Sequence, residues 1–281
     1  MFGRSYRRAP RRRSWLSGRL VIAAIIAIVS LISYYGSGSR NPLTDEVQRV
    51  AMSPEQEIAM GLQAAPEMAA QHGGLHPDEQ SQELVDRIGR RLIESVAAKV
   101  PYRFEFHVLA DEQTINAFAL PGGQVFLTAG LLQRLDSQGQ IAGVLAHEIG
   151  HVIERHGAEH LAKARLTQGL TGAAVIATYD PNDPRTRNSA AVAMAIGQLV
   201  NMRFGRQDEL ESDKWGVKLT AEAGYDPRSM IRVMEVLREA GGGGRMPEFF
   251  STHPDPGRRI ERIQDAIHEA FPEGVPDGLE A

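Results

Sequence analysis

The sequence predicts an α+β fold that is mostly α-helical and carries a small β-sheet. Three observations point there. Ile141, Val144, Leu145, Ile149 and Val152 recur at helical spacing and bury one side of a mid-chain helix. Tyr102 to Leu109 alternates, with Tyr102, Phe104, Phe106 and Val108 on one face and Arg103, Glu105 and His107 on the other, as a half-buried strand does. The last third of the chain reads as helices at about 189–204, 207–223, 227–240 and 256–270.

Taken in chain order, residues 1–19 hold seven arginines and no acid, and Leu20 to Ser39 is an uncharged run of 20 residues. That length suits one helix across a bilayer. Trp15 and the pair Tyr34 and Tyr35 stand where interfacial aromatics belong, and the arginines predict a cytoplasmic tail with the body on the far side. The expected organisation is a tail over 1–19, a signal-anchor helix over 20–39 and a body over 41–281, in a bacterial inner membrane with the body periplasmic. A cleaved signal peptide is the rival, but no A-x-A-like site follows the apolar run. The Arg-rich start also fits a mitochondrial presequence, and Arg12-Arg13 faintly echoes a twin-arginine signal. No cysteine is present, which excludes a lipid-modified cysteine anchor. Residues 41–281 carry 23 basic and 35 acidic side chains, a net −12, which argues against nucleic acid as a partner.

In the body, Ser37 to Asn41 reads as a linker. Ser53-Pro54-Glu55-Gln56 starts a helix, with Ser as cap, Pro at the first position and Gln three residues after the cap. Gly73-Gly74 ends it, and a second helix is expected from about Asp78 to Ser95. Pro121-Gly122-Gly123 makes a turn before a strand over Gln124 to Thr128. The apolar segments Leu170–Thr178 and Ala190–Met202 are too short to span a membrane and read as packed core helices. The polar loop Asp180–Asn188 between them is a candidate lid.

The mid-chain helix carries His147-Glu148-Ile149-Gly150-His151, an H-E-x-x-H motif. Residues four apart on a helix share a face, so both imidazoles can reach one metal ion, and Glu148 stands beside them to take a proton from activated water. This is the minimal set for metal-assisted hydrolysis of a peptide bond. The plain alternative, a surface helix with two stray histidines, conflicts with the apolar stripe: buried polar groups need partners, and a metal supplies one. His156 and His160 each lie about 180° around a continuing helix from His147 and His151, so they read as solvated or helix-end residues. The pattern with a third histidine on the same helix fails at Gly157.

A catalytic zinc takes three protein ligands, so one more must come from elsewhere. Downstream, Leu210, Val217 and Ala221 suit one side of a helix that ends at Gly224. Glu209 and Asp213 are four apart on that helix and share a face, offering one carboxylate to metal and one to orient a ligating histidine. Spacing alone leaves Asp208, Glu209 and Glu211 all open as the ligand.

The motif H-E-x-x-H followed some sixty residues later by Glu209-Leu210-Glu211-Ser212-Asp213 and then Trp215-Gly216 resembles peptidase family forty-eight of the metallopeptidases. That family includes the CAAX prenyl proteases and the HtpX-like and BepA-like proteases. The runs Asn116–Gly123 and Ser251-Thr252-His253-Pro254 resemble it too, so the likeness covers roughly residues 53–270. The resemblance implies a gluzincin-like zincin fold and one Zn²⁺ per chain held by His147, His151 and Glu209. It also implies Glu148 as general base and Asp213 as the carboxylate behind a ligand. Ser212 stands where the family usually has Ala. His253 is expected near the cleft, as an oxyanion stabiliser or as an occupant of the metal in a resting state, with Gly241–Gly244 letting its segment move. The backbone of Asn116, Ala117 and Phe118 is the candidate shelf for an extended peptide. The expected activity is zinc endopeptidase action on unfolded or unassembled envelope proteins. The alternative is a chaperone-like zinc-binding module that holds such clients without cutting them. The intact Glu148 favours the enzyme.

Overall fold

The computed structural model describes residues 13–41, 43–50, 52–178, 204–241, 246–253 and 258–281. The Arg-rich residues 1–12, the Asp180–Asn188 loop, the Ala190–Met202 segment and Gly242–Gly244 therefore lie outside the described residues. The chain divides into two compact units, residues 1–37 with 162–201 and residues 38–161 with 202–281.

The first unit contains helix α1 (Arg13–Gly36) and the C-terminal part of α6 (His156–Thr178). Residues Gly18–Gly36 of α1 are long and apolar enough to cross a membrane, and Leu20, Ile22, Ile25, Ile28 and Ile32 are exposed along it. The helix stops at Gly36, where the Ser37 hydroxyl donates to the Tyr34 carbonyl. Residues 38–40, expected as linker, instead form strand β1 (Gly38–Arg40), which pairs antiparallel with β2 (Val47–Arg49).

In the second unit the sequence signals for helix ends hold. Helix α2 (Pro54–Gln71) begins in a capping box, with Ser53 and Gln56 each bonding the other's backbone N–H, and Gly73 and Gly74 follow it with positive φ. Helix α3 (Glu79–Ile93) is capped by Asp78 and buries Val85, Ile88 and Leu92. Strand β3 (Glu105–Leu109) is shorter than the alternation suggests: Tyr102 and Phe104 are buried, but ahead of the ladder. Strand β4 (Ala117–Leu120) turns through Gly122 and Gly123, both at positive φ, into β5 (Gln124–Thr128).

The sheet order is β3-β5-β4, with β3 parallel and β4 antiparallel to the central β5. The outer edge of β3 is capped: the Gln82 side chain donates to Phe106 O and accepts from Val108 N, and His76 N donates to Val108 O. Edge strand β4 packs beside helix α5 (Gln138–Ile153), which follows the short α4 (Ala129–Leu132). Every residue of α5 from Gly139 to Ile153 is buried, so this helix is the axis of the core. Against it lie α3, α7 (Arg206–Glu222) and α8 (Ser229–Gly241). The short α9 (Phe249–Thr252) follows, and α10 (Arg259–Ala270) closes on α7 and α8. Helix α7 ends at Gly224 with φ +80°.

Candidate metal centre

Helix α5 passes through the core with its two histidines on one face. His147 Nε2 and His151 Nε2 lie 3.1 Å apart. Helix α7 runs alongside at close range, because Gly150 carries no side chain where it meets Ser212. That approach places the Glu209 carboxylate between the imidazoles, Oε2 3.5 Å from His147 Nε2 and Oε1 3.5 Å from His151 Nε2. His253 Nδ1 comes in from the end of α9, 3.4 Å from His147 Nε2 and 3.1 Å from Glu209 Oε1. All four side chains are buried, and their ligand atoms lie within 4.8 Å of one another.

These distances fit a metal. Zinc ligands at about 2.0–2.1 Å in a tetrahedron stand roughly 3.3–3.4 Å apart. His147, His151 and Glu209 would hold such an ion, and His253 Nδ1 lies in the same cluster. Glu148 Oε1, Glu209 Oε2 and His253 Nε2 are buried without a hydrogen-bond partner among the described residues. Unpaired buried carboxylate oxygens are costly, and a cation at the centre removes that cost.

A buried arginine stands behind the ligands. Arg259, at the start of α10 and 2% exposed, donates from Nε to Asp213 Oδ2 (2.9 Å) and from Nη2 to Asp213 Oδ1 (2.8 Å). Its Nη1 lies 2.9 Å from Glu209 Oε2, off the hydrogen-bonding direction, so this contact is an ion pair only. Asp213 Oδ1 in turn is 3.0 Å from His147 Nδ1. Burial alone would raise the Glu209 and Asp213 pKa values, but the Arg259 guanidinium and the facing imidazoles outweigh it and hold both carboxyls low. For His147, burial and Arg259 act downward, yet Asp213 and Glu209 prevail and raise the pKa to about 9; a cation at Nε2 would displace the proton there and leave the one on Nδ1, which faces Asp213. For His151 burial dominates and the pKa falls well below the usual imidazole value.

The residues expected from the sequence come together here: His147, Glu148, His151, Glu209 and His253 share one centre, with Asp213 on the far nitrogen of His147. Glu148 is 1% exposed and its Oε1 lies 3.6 Å from His253 Nε2. Phe204 stacks on His151 (centroids 4.2 Å) and Phe249 on His253 (4.5 Å), so apolar rings wall the centre.

Two expectations need correction. His156 does stand at a helix end, the start of α6, but neither it nor His160 points to solvent. Helix α5 ends at Ile153, Arg155 takes a left-handed φ of 57°, and α6 restarts at His156, so the geometry of a continuous helix does not apply. His156 is 2% exposed and touches His151, and His160 Nε2 meets Asp208 Oδ2 at 2.7 Å.

The second correction concerns the peptide shelf. Asn116 O accepts from Thr128 N, and Asn116 N donates to Thr128 Oγ1, so the backbone of Asn116 is turned inward. Antiparallel pairing alternates, so Phe118, opposite Phe126, is turned inward as well. The outward N–H and C=O groups of this edge therefore fall on Ala117, which is fully buried, and on Ala119, which is partly exposed. Ala119, Leu120 and Pro121 share a crevice with His151 and Phe204. Just beyond, Ile115 O accepts from Phe249 N and the Asn116 amide donates to Glu248 Oε1, tying the His253 segment to this edge.

Arg259 and Phe204 were not found by sequence reasoning, and His156 was weighed there and set aside. Arg259 left one trace: it shares the apolar face of α10 with Ile263 and Ile267, a position where a lone arginine is out of place.

A cluster of two histidines of an H-E-x-x-H helix with a glutamate of the neighbouring helix, placed so that it could hold a metal, points to a metallopeptidase. The chain belongs to peptidase family M48, which it matches over residues 79–267. It is 30% identical over 275 residues to the mitochondrial metalloendopeptidase OMA1 of Schizosaccharomyces pombe, covering 95% of this chain and 76% of that one. To the beta-barrel assembly-enhancing protease of Escherichia coli it is 31% identical over 200 residues, covering 67% of this chain and 39% of that protein. To OMA1 of Saccharomyces cerevisiae it is 29% identical over 271 residues, 90% and 76% of the two chains. It is accordingly a metalloendopeptidase.

Proposed function

We propose that the chain is a membrane-anchored zinc endopeptidase that cuts unfolded or unassembled envelope proteins. The observation that carries the catalytic part is the spacing of His147 Nε2, His151 Nε2 and the Glu209 carboxylate at 3.1–3.5 Å, with the bare Glu148 oxygen beside them. When bound, zinc supplies Lewis acidity, bringing the pKa of water to about 7 and polarising a carbonyl. Glu148 Oε1 accepts the proton of the attacking water and returns it to the leaving amine. Asp213 holds the His147 proton on Nδ1 and leaves Nε2 bare for the metal. The outward groups of Ala119, the partly exposed position of this edge, pair with an extended substrate backbone, which favours unfolded chains because a folded one offers no free strand. His253 Nδ1 holds the corner that substrate and water need, so this imidazole must swing aside before cleavage.

The quality-control role is supported by likeness to two proteases, one mitochondrial and one named for β-barrel assembly. The anchor is supported by the exposed apolar face of α1, with residues 1–19 cytoplasmic and 41–281 periplasmic. The full chain, purified in detergent, is expected to cleave an unfolded protein such as reduced casein, to stop when the metal is chelated and to resume with one equivalent of zinc. Cleavage unaffected by chelation contradicts the proposal. A C-terminal fusion to a reporter active only outside the cytoplasm tests the orientation, and an inactive reporter refutes it.

A further inference from the structure

His151 is linked to α7 from both ring nitrogens, directly from Nε2 and through His156 of α6 from Nδ1. Its Nε2 faces Glu209 at the metal corner, and its Nδ1 lies 2.9 Å from His156 Nδ1. The other nitrogen of His156, Nε2, lies 3.0 Å from Glu211 Oε2. One condition fixes every proton along this path. A ligating His151 offers a bare Nε2, so its proton is on Nδ1. That N–H donates to His156 Nδ1, which is therefore bare, and His156 carries its own proton on Nε2, where the Glu211 carboxylate accepts it.

The backbone is bent to make this contact. On a continuous helix His156 would sit about 140° around from His151. The left-handed Arg155 breaks the helix and brings the two ring centroids to 5.0 Å. A non-glycine residue adopts that region only under backbone strain. Buried partners hold it there: Arg155 Nε donates to Glu57 Oε1 at 3.0 Å, and Nη2 donates to the Met52 carbonyl at 3.0 Å.

We propose that His156 and Glu211 are positioning residues that hold His151 as a metal ligand, setting its tautomer and ring plane as Asp213 does for His147. Both ligating imidazoles then end on a carboxylate of α7, His147 directly on residue 213 and His151 through a second imidazole on residue 211. The inference rests on the reading of His151 as a ligand. One turn further along, His160 and Asp208 bridge the same two helices at 2.7 Å without touching a ligand, and this pair supplies the control for a purely structural role.

The test is the zinc dissociation constant of the full chain in detergent, measured by chelator competition for the wild type, His156→Ala, His156→Gln and His160→Ala. His156→Ala is expected to bind zinc about 10- to 100-fold more weakly, the usual cost of losing a partner behind a ligand. His156→Gln is expected to recover most of that loss, because its carbonyl can accept from His151 and its amide can donate to Glu211. His160→Ala is expected to bind as the wild type does. Wild-type affinity in His156→Ala, or an equal loss in His160→Ala, overturns the proposal. Imidazole nitrogen NMR of the zinc-loaded wild type reads the tautomer without any substitution: His156 is expected protonated on Nε2 and bare on Nδ1, and the reverse tautomer overturns the proposal. A wild-type chain that binds no zinc refutes the metal reading itself, and is told apart from failure of the relay because no variant is needed to see it.

Discussion

Gly150→Ala tests how closely the two metal-bearing helices are bound to each other. A Cβ at Gly150 would lie 3.0 Å from Ser212 Cα, Ser212 O and Trp215 Cβ. Carbon atoms prefer about 3.5–4.0 Å, so α5 and α7 must part by roughly 0.5 Å. Two of the three obstructing atoms are backbone, which cannot rotate away. Overpacking of this kind costs about 1–3 kcal/mol, and the gain from replacing a helical glycine by alanine is about 1 kcal/mol. The net is a loss of up to about 2 kcal/mol, or a fall of about 4–8 °C in Tm for a domain of this size. Because Glu209 rides on α7, the same displacement opens the 3.5 Å spacings at the metal corner. A shift of about 0.5 Å is the tolerance of such a site, so zinc binding should weaken roughly tenfold. Thermal unfolding with the zinc dissociation constant is the assay. A variant that is more stable by about 1 kcal/mol and binds zinc normally, as free helix propensity alone would give, refutes the reasoning.

Asp213→Asn should lower zinc affinity or activity by about 10- to 100-fold while His147, His151 and Glu209 remain, and an unchanged zinc dissociation constant and rate would show that the contact with His147 does not matter. Ser212 is fully buried with an Oγ that has no partner among the described residues. Ser212→Ala should therefore stabilise by about 1 kcal/mol, raising Tm by about 2–4 °C, and a lower Tm would show that the hydroxyl is satisfied.

Features set by local chemistry were legible in the sequence. The capping box at Ser53, the glycine turn at 122–123 and the end of α7 at Gly224 are decided by a few neighbouring residues. The pairing of His147 with His151 on α5 was legible because helical spacing alone puts them on one face. Choosing Glu209 over Glu211 was different: spacing left both open, and the fold separates them, placing Glu209 on the metal corner and Glu211 on His156. What stayed hidden depends on long-range placement or on one backbone angle. The left-handed φ of Arg155 reverses the expected direction of His156, and no local signal marks a non-glycine residue for that region. Arg259 reaches Asp213 only because α10 folds back over α7. The parallel pairing of β3 with β5 set which strand was edge, and the alternation along β4 then selected Ala117 and Ala119 over Asn116 and Phe118.

The most direct measurement is made on Glu148→Gln in the full chain, reading zinc content and cleavage of an unfolded protein side by side. The amide keeps the size of the side chain but cannot accept a proton from water at neutral pH, and loss of a general base costs about 10²–10⁴ in rate. The expected result is one zinc per chain, an unchanged Tm and a cleavage rate at least about a hundredfold below wild type. Cleavage at the wild-type rate with zinc in place would contradict the role of Glu148, and no cleavage by either protein would favour a module that holds unfolded chains without cutting them.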